Sequence, residues 1–114
     1  MKIAVFSYSD MFARGLINAL KPFAEAAQYK KADVLIDIAA KERQDCVILD
    51  MDNPTDWKMS HDVFTNIMML EPQTAFVMYT VDKKNEPALV LEKKGALLLN
   101  KPVQILKLKE MLKI

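Results

Sequence analysis

The run Cys46-Val47-Ile48-Leu49 is apolar at four consecutive positions and is closed by Asp50 and then by Asn53-Pro54. A strand with one face in water alternates polar and apolar residues. A run apolar throughout needs cover on both faces, which in a chain of 114 residues points to helices above and below a parallel sheet. Asp50 then stands at the carboxyl end of a central strand, where open α/β sheets gather their ligands. The same position also suits an aspartate that only caps the following turn.

The rest of the chain fits that layout. Lys2 to Ser7 reads as a first strand, and Ser7-Tyr8-Ser9-Asp10 leads into a helix. That helix has Ser9 or Asp10 as N-cap, Met11, Gly15, Leu16, Ala19 and Leu20 on its inner face, and Pro22 past its end. Ala24 to Tyr29 is a strand of poor β propensity, suited to a sheet edge. Asp33 to Arg43 reads as a helix with Leu35, Ile36, Ile38 and Ala39 turned inward. After the central strand, Asn53-Pro54-Thr55-Asp56 is turn chemistry, and a third helix over Lys58 to Leu70 carries the stripe Val63, Phe64, Ile67 and Met68 before Glu71-Pro72 stops it. Thr74 to Thr80 is the fourth strand. A polar loop, Val81 to Glu86, leads to Pro87 at the first position of a short helix ending near Gly95. Leu97-Leu98-Leu99 is the fifth strand, broken by Lys101-Pro102, and Val103 to Ile114 is the fifth helix.

Strand and helix thus alternate five times, which predicts one α/β domain over residues 1–114: a doubly wound, five-stranded parallel sheet with helices on both faces. No apolar run is long enough to span a membrane, and the first strand is too short for a signal-peptide core, so the expected setting is cytoplasmic. The single Cys46 lies inside the apolar run, as a buried, reduced thiol would. The net charge of +1 gives no argument for direct nucleic-acid binding. The charge is unevenly spread: residues 82–114 carry eight lysines against four acids, whereas residues 1–81 carry eight Lys/Arg against eleven acids. The basic third reads either as a face for an acidic partner or as a solvated lysine-rich surface.

With Asp50 on a strand that has Pro54 four residues on, Thr80 closing strand four, Lys101-Pro102 closing strand five and MFARGL opening helix one, the chain resembles the receiver domain of bacterial two-component response regulators along essentially its whole length. The resemblance implies the flavodoxin-like (βα)5 fold with strand order 2-1-3-4-5, and it implies that Asp50 is the phosphoacceptor position, served by a sensor kinase or a small phosphodonor. It implies that Lys101 contacts a phosphoryl oxygen, that Thr80 supplies the hydroxyl which bonds the acyl phosphate, and that the Lys101-Pro102 bond is cis. A carboxylate nucleophile of this kind needs in-line access and cations to offset the charge on the phosphoryl oxygens.

The chain departs from the family where the cation is held. Receivers carry two adjacent acids after strand one as Mg²⁺ ligands, and the matching positions here are Ser7 and Tyr8, neither of them anionic at neutral pH. Asp52 offers a second carboxylate beside Asp50, so Asp50 and Asp52 are the candidate metal ligands of a weakened site. Without a metal, Asp50 and Lys101 are expected to form a direct ion pair that holds the site in one state. The aromatic residue that the family often carries three positions before the strand-five lysine is Leu98 here, with Tyr79 beside Thr80 as the nearest aromatic.

Leu89 and Val90 in helix four and Leu106 in helix five fall off the inward stripes, and these residues, with Leu98 in strand five, lie on the elements through which the family commonly dimerises or binds partners. They are the candidate interface, for a homodimer or a protein partner. His61, the only histidine, is expected in solvent, Trp57 as a lid over the start of helix three, and the eight methionines in an adaptable core. Three functions compete. One is an atypical receiver that works by protein–protein interaction with phosphorylation at Asp50 impaired or absent; the second is a working phosphoacceptor with a non-standard Mg²⁺ site. The third, suggested by the hydroxyls of Ser7-Tyr8-Ser9, is a small flavin or nucleotide binder, although Gly15 and Gly95 are badly placed for a phosphate loop. The first two are signalling modules and not turnover enzymes.

Overall fold

The computed structural model describes residues 1–52, 56–82 and 84–114 and, for Asp56 and Trp57, the backbone alone. The expected Asn53-Pro54-Thr55 turn and the Trp57 lid lie outside the described residues. Five strands, β1 (Lys2–Phe6), β2 (Glu25–Tyr29), β3 (Cys46–Asp50), β4 (Ala75–Thr80) and β5 (Leu97–Asn100), alternate with α1 (Asp10–Leu20), α2 (Ala32–Lys41), α3 (Asp56–Leu70), α4 (Glu86–Lys93) and α5 (Ile105–Leu112). All strands run parallel in the order β2-β1-β3-β4-β5. The poor strand former β2 is at an edge, where half its ladder need not be satisfied by another strand.

Every residue of β3 is buried, because successive side chains enter two different cores. Val47 and Leu49, with Ala4, Phe6 and Met78, pack under α2, α3 and α4 against Leu35, Val63, Ile67 and Leu91. Ile48, with Ile3, Val5, Val77 and Tyr79, packs under α1 and α5 against Ala13, Leu16, Leu20 and Leu108. Cys46 lies in this second core, and burial, reinforced by the neighbouring Asp45 charge, pushes its thiol up to about 12.

Local signals set several boundaries. The Ser9 hydroxyl caps α1 by accepting from the Phe12 N–H, and the Asn85 side chain caps α4 by accepting from the Ala88 N–H. Gly95, with φ of 110°, makes the left-handed turn that ends α4 and lets the chain re-enter the sheet. The Lys101-Pro102 peptide is cis.

The face of α1 differs from the sequence expectation. Ala13, Leu16 and Leu20 point at the sheet, while Gly15 is exposed and Met11 is 87% exposed. With Ser9 as cap and Phe12 half-buried against the second core, the helix is rotated so that Met11 and Gly15 line an open groove between α1 and the start of α5. His61 is half-buried on α3 and not free in solvent. Among the described residues no helix is long and apolar enough to cross a membrane.

Candidate functional site

The strand order reverses at β1, which sits between β2 and β3, so the carboxyl ends of β1 and β3 open a crevice between their departing loops. Register carries the polar residues there. Phe6 is level with Leu49, which sets Ser7 opposite Asp50; Asp50 is level with Tyr79, so Thr80 ends β4 one residue further; Thr80 is level with Asn100, so Lys101 follows at once. Ser7, Asp50, Thr80 and Lys101 therefore meet at one sheet edge although they are far apart in sequence.

Asp50 is 4% exposed, and both of its carboxylate oxygens are engaged. Oδ2 accepts from the Ser7 hydroxyl at 2.7 Å, and Oδ1 accepts from Lys101 Nζ at 2.8 Å and from the Asp52 N–H at 3.3 Å. Ser7 is itself held, since its Oγ accepts from the Ser9 N–H and its carbonyl accepts from Gln28 Nε2. The same Lys101 ammonium lies 2.8 Å from Asp52 Oδ2 and so bridges two carboxylates. Asp52 Oδ1 accepts from the Thr80 hydroxyl at 2.6 Å and from the Val81 N–H at 2.9 Å.

The electrostatics follow from these contacts. Burial works against the charge on Asp52, yet hydrogen bonds from Lys101, Thr80 and Val81 outweigh it and hold the carboxyl below its ordinary value. Burial likewise opposes the Lys101 charge, and the bonds to Asp50 and Asp52 overcome it, raising the ammonium above the usual lysine range. The Lys101 ammonium also lies 4.3 Å from the centre of the Phe12 ring, whose edge-on partner is Tyr79 at 5.8 Å, so α1 braces the cation from below. Tyr8 takes no part: it is exposed and donates its hydroxyl to the Met59 sulfur at 2.9 Å. Asp10 points away, paired with Lys30 and accepting from Gln28.

This donor set does not fit a divalent cation. Mg²⁺ asks for near-octahedral oxygen ligands, carboxylates and water above all. Here the two strand-one positions are a serine that already donates to Asp50 and a tyrosine turned outward, and an ammonium occupies the approach shared by Asp50 and Asp52. Among the described residues no group of three or more His, Cys, Asp or Glu gathers in a way that could hold a metal.

The structure thus brings Asp50, Thr80, Lys101, Asp52 and Ser7 together and leaves Tyr8 outside. Sequence reasoning did not anticipate the Ser7 hydroxyl as a partner of Asp50, the Val81 N–H, or Phe12 beneath Lys101. Of the interface candidates, Leu106 is 72% exposed and Val90 is exposed, whereas Leu89 is half-buried and Leu98 packs against the core under α2, α3 and α4. Alternation in β5 turns Leu98 to the face opposite Leu97 and Leu99; Leu99 is covered by the core under α1 and α5, while Leu97, two residues earlier on that same face, stays exposed.

No family model matches the sequence, and no curated protein does. Solved structures do. A response-regulator receiver-domain protein of Clostridium thermocellum superposes with a TM-score of 0.82 at 22% identity, covering 98% of this chain and 90% of the other. The chemotaxis protein CheY4 of Vibrio cholerae gives 0.78 at 19% identity, covering 98% and 95%. The receiver domain of a Pseudomonas aeruginosa sensor histidine kinase, described with a magnesium ion in its active-site cleft, gives 0.80 at 14% identity, covering 98% and 93%. The chain has the flavodoxin-like fold of response-regulator receiver domains.

Proposed function

We propose that this protein is a signalling module of receiver type that acts by binding partner proteins, in a state that does not depend on metal-assisted phosphorylation of Asp50. The observation that carries this reading is the Lys101 ammonium bonded to Asp50 and Asp52 at once, at 2.8 Å each. It neutralises charge where a receiver would recruit a metal, and it occupies the face of Asp50 that the Ser7 hydroxyl leaves free. Both Asp50 oxygens are engaged and the residue is 4% exposed, which supports a reading in which in-line phosphoryl transfer is impaired.

The partner surface is best sought on α4, β5 and α5, where Val90, Leu97 and Leu106 expose apolar side chains. A second copy of the chain, a sensor kinase or another signalling protein would each cover it. One other reading has an observation in its favour: Asp50, Thr80 and Lys101 are retained and adjacent, as a working phosphoacceptor would need.

Titration with Mg²⁺ and beryllofluoride, followed through backbone amide shifts, separates the two. The expected result is no saturable change around Asp50 and Thr80. Saturable shifts that disappear in Asp50→Asn would establish the phosphoacceptor instead.

A further inference from the structure

The groove between α1 and the start of α5 is open along its outer side. It encloses about 440 Å³ and is walled mainly by apolar groups, Met11, Gly15 and Ala19 from α1 and Pro102, Val103 and Ile105 from the segment that leads into α5. Met11 stands at its rim 87% exposed, more than any other large apolar side chain among the described residues. An apolar side chain standing free beside an apolar hollow marks a contact that the single chain does not make.

Gly15 is a second and separate sign. It sits in the middle of α1, where glycine is a poorer helix former than alanine because it has more backbone freedom to lose. Its φ is not positive, and a Cβ built on it would meet nothing within 4 Å. Neither a turn nor any packing within the chain calls for glycine there. A second helix passing close over α1 does.

We infer that this face pairs with a second copy of the chain: two α1 helices cross antiparallel about a twofold axis at Gly15, and the Met11 of each protomer fills the groove of its partner beside Ala19. Met11, Gly15 and Ala19 stand four residues apart, so knob, gap and hollow are symmetric about residue 15. Turning one helix end for end then lays knob on hollow at both ends at once, the self-complementarity that a twofold contact requires. Ridges that repeat every fourth residue pack against their own kind at a crossing angle of about −50°. Charge selects the same orientation. Asp10, half-exposed beside Lys30, opens α1, and the exposed Lys21 follows its end, so antiparallel pairing brings opposite charges together where a parallel pair would set like beside like. A net charge of +1 gives two copies little mutual repulsion.

The contact uses none of the groups bonded to Asp50 and goes beyond the reading above. It does reach the site from behind: Phe12, whose ring lies under the Lys101 ammonium, and Lys101 itself line the groove, so a seated methionine shields the base of the bridge from solvent. Leu106, next to Ile105 on α5 and 72% exposed, borders the groove and is covered as well. Val90 belongs to α4, on the other face of the sheet, and stays free for a different partner.

Sedimentation of the full chain from about 10 μM to about 1 mM tests the pairing, since contacts of modest area hold at micromolar strength or weaker. The unsubstituted protein should move from one chain toward two across that range. Met11→Glu and Gly15→Gln should each weaken the association about tenfold or more, the scale of a central interface side chain. Both variants should fold, Met11 being exposed and Gly15 having open space, and Gly15→Gln should raise the urea midpoint measured at low concentration, where the chain is single. Val90→Glu should associate as the unsubstituted protein does. A single chain at every concentration, association unchanged by Met11→Glu or by Gly15→Gln, or association lost in Val90→Glu would each overturn the proposal.

Discussion

Replacing Lys101 by methionine keeps most of the side-chain volume and removes the charge. Asp50 and Asp52 would then face each other, linked only through the Asp52 N–H, with no ammonium between them. Losing one partner of a fully buried ion pair costs about 3–5 kcal/mol, while an exposed pair is worth roughly 0–1 kcal/mol. The Asp50 side chain is 5% exposed, and those of Lys101 and Asp52 are 19% and 23% exposed. The site lies between the two limits, so a loss of about 2–3 kcal/mol is expected. The same substitution should create a cation requirement. Magnesium at about ten times its dissociation constant for the variant would return roughly 1.4 kcal/mol by linkage, and it should return nothing to the parent protein. Urea denaturation followed by far-ultraviolet circular dichroism, with and without magnesium, measures both effects. A variant within about 0.5 kcal/mol of the parent, a difference ordinary for surface substitutions, would refute the bridging role assigned to Lys101. So would a parent protein that gains stability from magnesium as the variant does.

Ser7→Ala removes a buried hydrogen bond to a charged acceptor and should cost about 1.5–3 kcal/mol in the same denaturation assay. Tyr79 is fully buried and its hydroxyl has no partner among the described residues, so Tyr79→Phe should leave the midpoint unchanged or raise it. The Asp52 carboxyl is held below its ordinary value of 3.8, so its contribution to stability is complete above that pH and is lost as pH falls through the folded-state value; acid unfolding profiles of the parent and of Asp52→Asn should converge there. Glutamate at Val90 and Leu106 together should abolish any self-association seen by sedimentation and leave stability within about 0.5 kcal/mol, as expected for exposed positions.

The order of elements was legible because four of the strands are short apolar runs and several helix boundaries carry their own signal, Ser9 before α1, Pro72 after α3 and Gly95 after α4, while the poor strand former β2 was legible only as an edge strand. The face of α1 was not. Met11, Gly15 and Ala19 are spaced as plausibly as Ala13, Leu16 and Leu20, and the choice depends on Ser9 capping the helix and on where α5 arrives. At the site, the neighbourhood of Asp50, Thr80 and Lys101 and the ion pair between Asp50 and Lys101 were legible through the resemblance to receiver domains, which sets all three at the ends of parallel strands. The roles of Ser7 and Asp52 do not. Ser7 was read as a lost charge, whereas its hydroxyl bonds Asp50 across 43 residues of sequence; Asp52 was read as a metal ligand, whereas it accepts from Thr80 across 28. Such bonds depend on where a hydroxyl or carboxylate points after the sheet has assembled, and one-dimensional spacing carries little of that.

The ion that bridges Asp50 and Asp52 is covalently attached to the chain, and this changes how its occupancy responds to the surroundings. A diffusible ion fills a site in proportion to its free concentration, and dilution or a chelator empties it. An ammonium on its own stem meets the carboxylates at an effective concentration fixed by the fold, independent of what is dissolved outside. Occupancy then follows the folding equilibrium alone: the bridge forms when β5 takes its place in the sheet and is lost when the strand leaves. On the reading proposed above, a chelator would therefore leave this bridge in place.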